Sequence, residues 1–342
     1  MESAPPRFSA RSICLVALTA LASLAALRAA QTVVVPLLYS CFLAVVLSPI
    51  VVVLVRRRWP VLPAVLSALA LVFALAYAMG CLLVFSLQDL GSEIPRYADR
   101  FVELAREFGA FALAHGVELD VDRFIESLDV SNLAPVAKGG VGFLLSATKY
   151  AAMVFFVTLF MLLEGARLKD KARRSFGERN FFDETFKGIA LDIQRYLVVK
   201  TFVSLLTGVA VAVFLAVVGV PFPLLWGIVA FLFNYVPSVG SAVASVPPVL
   251  MALMDPVSPI ATATVAAVGL LVIQVAIGSY LDPRLMGKNL NLSALVVFLS
   301  MIFWGWMWGP AGMLIAVPLT VCVKVGLAYF PKTAPFSKLL ES

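Results

Sequence analysis

An all-α, polytopic integral membrane protein is the fold class predicted for this 342-residue chain, and three observations predict it. Apolar residues make up 62% of the sequence and charged residues only 13%, whereas water-soluble domains hold about 45–50% and about 25%. Mean hydropathy is +1.00. The apolar residues come in blocks that can cross a hydrocarbon core about 30 Å thick, which takes about 20 helical residues. The net charge of +6 sits in short clusters beside those blocks. There it sets membrane orientation, and a nucleic-acid partner is not expected.

Taken in chain order, the first apolar run covers residues 13–27, between Arg11 and Arg28. It resembles a signal-peptide core, but Leu27 and Arg28 spoil the small-x-small cleavage pattern and a second run starts at Thr32. A retained helical hairpin is therefore expected. Further plain spans are predicted at 32–55, 61–87, 141–163, 197–218 and 257–281, giving about six, with two Gly/Pro-broken stretches at 224–254 and 292–330. The chain thus divides into N-terminal transmembrane helices (1–87), an acidic segment (88–140) and a transport core (141–342).

The basic residues give the direction. With the N-terminus inside, the cytoplasmic segments hold 19 of the 26 Lys and Arg. Segment 88–140 holds five of them and ten of the 20 acids. That asymmetry places both termini in the cytoplasm and 88–140 outside. Within this outer segment Ile94, Ala98, Phe101, Ala105, Phe108 and Phe111 recur at spacings of three and four, which predicts an amphipathic helix. A second, shorter helix is expected from Asp122 to Leu128. These helices are expected to cap the bundle or pack on a neighbouring subunit.

Polar chemistry at membrane depth is cheapest where a helix is broken and its freed backbone faces protein or a water-filled cavity. Two places fit: Phe231 to Ser241, with Asn234, Pro237 and Gly240, and Trp304 to Gly312, with Gly309 and Pro310. Paired interruptions of this kind mark the binding site of many secondary transporters, because the helix ends aim partial charges at a solute. Both are expected to form re-entrant hairpins meeting near the midplane. Asn234, Tyr235, Ser238 and Ser241 then supply hydrogen bonds, Gln274 adds an uncharged polar group, and Gly240 and Gly312 permit close backbone approach. The alternative is that the prolines only kink packed helices.

Charges at depth are scarce. Lys149, Lys200 and Lys324 are expected to snorkel toward the surface. Glu164, Asp255 and Asp282 lie at span borders, as candidates for coupling or gating, and Arg284 and Lys288 come after Asp282 in a short border element. The four cysteines lie in apolar blocks without CxxC spacing, and the single histidine, His115, sits in the outer segment. No metal site, disulfide framework or hydrolase triad is indicated. There is no Walker A loop or dinucleotide fingerprint either, so no cofactor is expected and the chain is not read as an enzyme.

Four blocks carry a resemblance: Ala44 to Val51 with Arg57, Arg58 and Pro60; Phe233 to Gly240 with Val246, Pro247 and Pro248; Asp282 to Lys288 leading to Leu292 and Ser293; and Trp308 to Leu319. Together they resemble the autoinducer-2 exporter family of permeases over nearly the whole chain. Ala294 and Ser238 depart from the residues frequent in that family. The resemblance implies a multi-pass secondary transporter of the bacterial inner membrane, in contact with lipid, that exports a small polar metabolite or signal such as autoinducer-2. It also implies homo-oligomerisation. A sodium (lithium)/proton antiporter, with a cation as partner, and a non-transporting scaffold remain the alternative readings.

Overall fold

The computed structural model describes residues 10–115, 140–176, 180–236, 239–254, 257–286 and 292–329, with isolated positions between 333 and 340. The described residues are almost entirely helical: α1 (Ala10–Ala29), α2 (Gln31–Arg56), α3 (Val61–Ala114), α4 (Gly140–Phe176), α5 (Asn180–Val218), α6 (Pro223–Phe233), α7 (Val239–Ala252), α8 (Pro259–Gln274), a π-helical stretch (Val275–Leu281), α9 (Asp282–Met286), α10 (Ala294–Leu314) and α11 (Ala316–Tyr329). Among the described residues six helices are long and apolar enough to cross a membrane. The polytopic helical fold is therefore shown.

The six are not quite the six expected. The run at 13–27 forms α1 but is not among them. It joins α2 through the single residue Ala30, whose near-helical backbone (φ −83°, ψ 10°) bends the axis in place of a hairpin loop. The stretch Leu295–Leu314 qualifies by length. Its backbone nevertheless leaves helical geometry at Trp308 (φ −131°) and Gly309 (φ 65°, ψ −150°), a combination open essentially to glycine alone.

Helix α3 runs unbroken through the bilayer span and on for 54 residues in all, about 80 Å. The expected amphipathic outer helix is thus the continuation of a span rather than a separate element. Along it Glu93 pairs with Arg96 at 3.6 Å, and Arg100 pairs with Glu103. The ring of Tyr97 stands edge-on to Phe222 at 6.2 Å, so this outer stretch reaches the turn between α5 and α6. The apolar side chains of its other face and the helix expected from Asp122 lie outside the described residues.

Among the described residues three apolar clusters hold the bundle. One joins α2, α3 and α4 through Leu47, Val65 and Leu69, and hydroxyls lock the α2–α4 crossing. Across it Ser40 Oγ donates to the Val154 carbonyl at 3.3 Å and Thr158 Oγ1 to the Ser40 carbonyl at 3.4 Å, while each hydroxyl also bonds within its own helix, to Pro36 at 2.7 Å and Val154 at 2.6 Å. A second cluster gathers Phe42, Ile193, Met307, Trp308 and Leu319 from α2, α5, α10 and α11. The third gathers Leu215, Leu225, Trp226, Ala230, Ala266 and Leu270 from α5, α6 and α8, with Ala252 of α7.

Helix α5 is common to the second and third clusters. It ends in a glycine cap, with Gly219 at φ 84° and the Val220 amide returning to the Leu215 carbonyl at 2.9 Å. The chain then comes straight back as α6. Gly208 of α5 and Gly227 of α6 meet backbone to backbone, since a Cβ on either would lie 2.7 Å from the other's carbonyl oxygen. Small residues at a crossing let two membrane helices approach closely and pack without a hydrophobic drive.

Candidate functional site

The two broken stretches double back. Gly240, at the start of α7, lies so close to the last residue of α6 that a Cβ would fall on the Phe233 carbonyl. In the second stretch a Cβ on Gly312 would fall on the Trp304 carbonyl, and Gly305 faces the Met313 side chain. Residues seven or eight apart lie about 10–12 Å apart along one straight helix, so these contacts exist only because the chain reverses. With α6 at 11 residues and α7 at 14, about 17 and 21 Å, neither limb spans a bilayer. Kinked continuous helices are excluded for both.

The expected meeting of the two hairpins takes another form. The first packs on α5 through α6, and the second reaches α5 through α11 and α2 through α10. The second hairpin is tied to the N-terminal helices: Tyr39 donates from its hydroxyl to the Ala311 carbonyl at 2.9 Å, and the Trp308 indole donates to the Leu27 carbonyl at 3.3 Å. Gly312 therefore shapes a hairpin that reaches α5 near Ile193 and Leu197, nearer the N-terminal end of that helix than Ser204, the partner of Asn234.

At the bend of the first hairpin the polar groups line up with α5. Asn234 is 5% exposed and its Nδ2 donates to Ser204 Oγ at 3.0 Å. Tyr235 donates from its hydroxyl to Thr201 Oγ1 at 2.8 Å, and Thr201 passes the chain to the Leu197 carbonyl at 2.7 Å. The hydrogen-bonding power of the bend is thus turned onto the polar stripe of α5. Ser241 is half-buried, and its carbonyl accepts from Ser245 at 2.9 Å. Gln274 closes α8, directly before the π-helical stretch and one turn before Gly278, and is not among the bonded partners of the bend.

One turn along α5 lies a buried ion pair that the sequence reading missed. Lys200 Nζ meets Asp282 Oδ2 at 2.8 Å, the two side chains being 4% and 14% exposed. Lys200 does not snorkel. Its stem is enclosed between helices, and Asp282 is carried to it by the π-helical stretch, whose last bond closes from the Asp282 amide to the Ile277 carbonyl. A π-stretch adds a residue per turn and so rotates the helix beyond it, and such stretches favour functional positions. Asp282 Oδ1 is buried without a hydrogen-bond partner. Tyr196, buried one turn before Lys200, lies within electrostatic reach of both Asp282 and Tyr235.

Of the other expected residues, Arg284 is exposed and stacks over the Tyr280 ring at 3.8 Å. Glu164 is exposed on α4, which packs on α2 and α3. Ser238, Asp255 and Lys288 lie outside the described residues. Tyr196, Lys200, Thr201 and Ser204 were missed, although a signal existed: Tyr196, Lys200, Ser204 and Gly208 recur every four residues in a mostly apolar span. Among the described residues no group of three or more His, Cys, Asp or Glu is placed to hold a metal ion.

Comparison with known proteins agrees with this architecture. The description AI-2E family transporter matches residues 13–332. The chain is 33% identical over 307 residues to the Escherichia coli (strain K12) AI-2 transport protein TqsA, covering 89% of this chain and 88% of that one. It is 31% identical over 334 residues to a Haemophilus influenzae protein named "Putative transport protein", covering 93% and 92%. To YhhT of Escherichia coli (strain K12), which carries the same description, it is 30% identical over 327 residues, covering 95% and 93%. A multi-pass helical bundle with two reversing broken segments, matched over nearly its whole length, belongs to the AI-2E transporter family.

Proposed function

We propose that this transporter exports a small polar solute of the autoinducer-2 type through the seam between α5 and the first hairpin. The observation that carries the reading is the pairing of Asn234 with Ser204 and of Tyr235 with Thr201 at the bend. These are uncharged donors and acceptors bonded to one another. A solute rich in hydroxyl or carbonyl groups can take over those bonds at little net cost, because hydrogen bonds exchange nearly evenly when every partner stays satisfied. Alternating access then amounts to parting the bend from α5 on one side at a time. The relative whose name specifies AI-2 transport supports this choice of solute.

Both termini lie in the cytoplasm on this reading, with the outer part of α3 on the opposite side, as the distribution of Lys and Arg requires. The solute makes its contacts with Asn234, Tyr235 and Ser204. Asp282 acts with Lys200 as the gating element, and Arg284, Gln274 and Glu164 are peripheral to it. The sodium/proton antiporter reading needs several oxygens converging on a dehydrated cation. Asp282 faces a lysine ammonium instead.

The test is efflux of autoinducer-2 from proteoliposomes. Asn234→Ala removes one hydrogen bond to the solute, about 1.5 kcal/mol, and should slow efflux about tenfold. Thermal stability should fall by only about 1 kcal/mol. Unchanged efflux from a folded variant, or efflux of sodium in place of autoinducer-2, contradicts the proposal.

A further inference from the structure

We propose that the cytoplasmic end of α5 carries a binding site for an anionic phospholipid of the inner leaflet, with Arg195 holding the phosphate. The site takes from the transport reading only the placement of this end of α5 at the cytoplasmic surface, and it shares none of the solute contacts.

Along the first turns of the α5 span runs a groove of about 380 Å³, lined among the described residues by Leu191, Asp192, Gln194, Arg195, Val198 and Val199. Its size suits a small headgroup, since small-molecule sites run from about 300 to 1,000 Å³. Arg195 is exposed and closes no salt bridge or hydrogen bond among the described residues. The carboxylate of the groove, Asp192, lies within electrostatic reach of both Arg195 and Lys324 of α11. Two cations around one acid leave this corner of the bundle positive. A guanidinium whose in-plane donors are unspent can grip a phosphate through two parallel hydrogen bonds.

The surroundings of Arg195 select a lipid over a dissolved anion. Leu191, Arg195, Val198, Phe202 and Leu205 follow at alternating spacings of four and three, so they share one face of α5. The four apolar members are all exposed. In a membrane span such a ridge meets acyl chains, which are as apolar as leucine. From Arg195 to Leu205 it rises about 15 Å, half of a hydrocarbon core about 30 Å thick. An acyl chain of the inner leaflet therefore covers the ridge while its phosphate rests on Arg195. Basic pockets at the cytoplasmic ends of membrane helices seat anionic headgroups in the same way.

Native mass spectrometry of the full chain, released from micelles of an uncharged detergent holding phosphatidylglycerol, tests the site by counting the lipids retained. Wild type should keep one phosphatidylglycerol per chain in preference to phosphatidylethanolamine. Arg195→Gln removes a charge-assisted contact to the phosphate, and binding should weaken about tenfold. Because Arg195 closes no ion pair among the described residues, the variant should fold with the thermal midpoint of lipid-free wild type. Arg96→Gln deletes the same charge on the outer part of α3 and should bind as wild type does. sn-Glycerol 3-phosphate carries the headgroup chemistry without acyl chains, and in large excess it should not displace the lipid.

Three results overturn the proposal: undiminished retention by Arg195→Gln, an equal loss in Arg96→Gln, which would mean net charge alone, and displacement by sn-glycerol 3-phosphate, which would mean a site for a soluble anion. A wild type that retains the lipid yet moves no autoinducer-2 fails the solute reading and leaves the lipid site standing.

Discussion

Gly240→Val and Gly312→Val should each prevent the chain from reaching its folded state, whereas Gly165→Val should be tolerated. The contrast is geometric. At Gly240 and Gly312 an added Cβ falls on a backbone carbonyl, that of Phe233 or Trp304. A carbonyl held in a helix cannot rotate away as a side chain does. The limbs of the hairpin must then part, losing the packing of α6 on α7 or of the two halves of α10. The cost expected is about 3 kcal/mol or more, a large share of the stability of a typical domain. Gly165 has nothing within 4 Å of the corresponding position, and its substitution should stay within about 0.5 kcal/mol. Yield of monodisperse protein and thermal unfolding in detergent decide the matter. Gly240→Val protein as stable as wild type would mean that the chain does not reverse at Phe233.

The second large effect concerns the ion pair. Lys200→Met removes the partner of a carboxylate that is only 14% exposed and already has one orphaned oxygen. Breaking one half of a buried pair costs about 3–5 kcal/mol, because the remaining charge stays desolvated. Lys200→Met/Asp282→Asn removes both charges at nearly constant volume and should regain most of that loss. The thermal midpoints of wild type, the two single variants and the double variant form a cycle that measures the coupling. A Lys200→Met variant as stable as wild type, with additive effects in the double, would show that the pair is open to water.

Much of this architecture is legible in the sequence because membrane folding obeys few rules. Long apolar blocks have to be helices, and the clustered Pro and Gly residues around Asn234 and Gly309 mark where two of them break. The reversal itself is legible at Gly240 and Gly312 as a need for close approach. Three features are not. The apolar run of the α3 span ends near Leu87, yet the helix continues to Ala114. A change from apolar on all sides to apolar on one side marks the membrane surface without stopping a helix. The bend at Ala30 passes for a hairpin because two apolar runs separated by a polar residue look the same either way. The Lys200–Asp282 pair joins residues 82 positions apart. Only tertiary packing brings them together, and a lysine near a span border equally well suggests snorkelling. What sequence periodicity does offer is the four-residue spacing of Tyr196, Lys200, Ser204 and Gly208, which runs along one face where α5 becomes mostly apolar.

Transport by this route requires a polar seam between α5 and the first hairpin that opens to water. Ser204 is fully buried while the seam is closed, so a reagent confined to water reaches it only when the bend has parted from α5. Its accessibility is measured directly by placing a cysteine at Ser204 in a chain whose four native cysteines have been replaced, and exposing sealed proteoliposomes to a membrane-impermeant maleimide. The seam predicts labelling that autoinducer-2 slows. A folded protein that stays unlabelled from both faces of the membrane contradicts it.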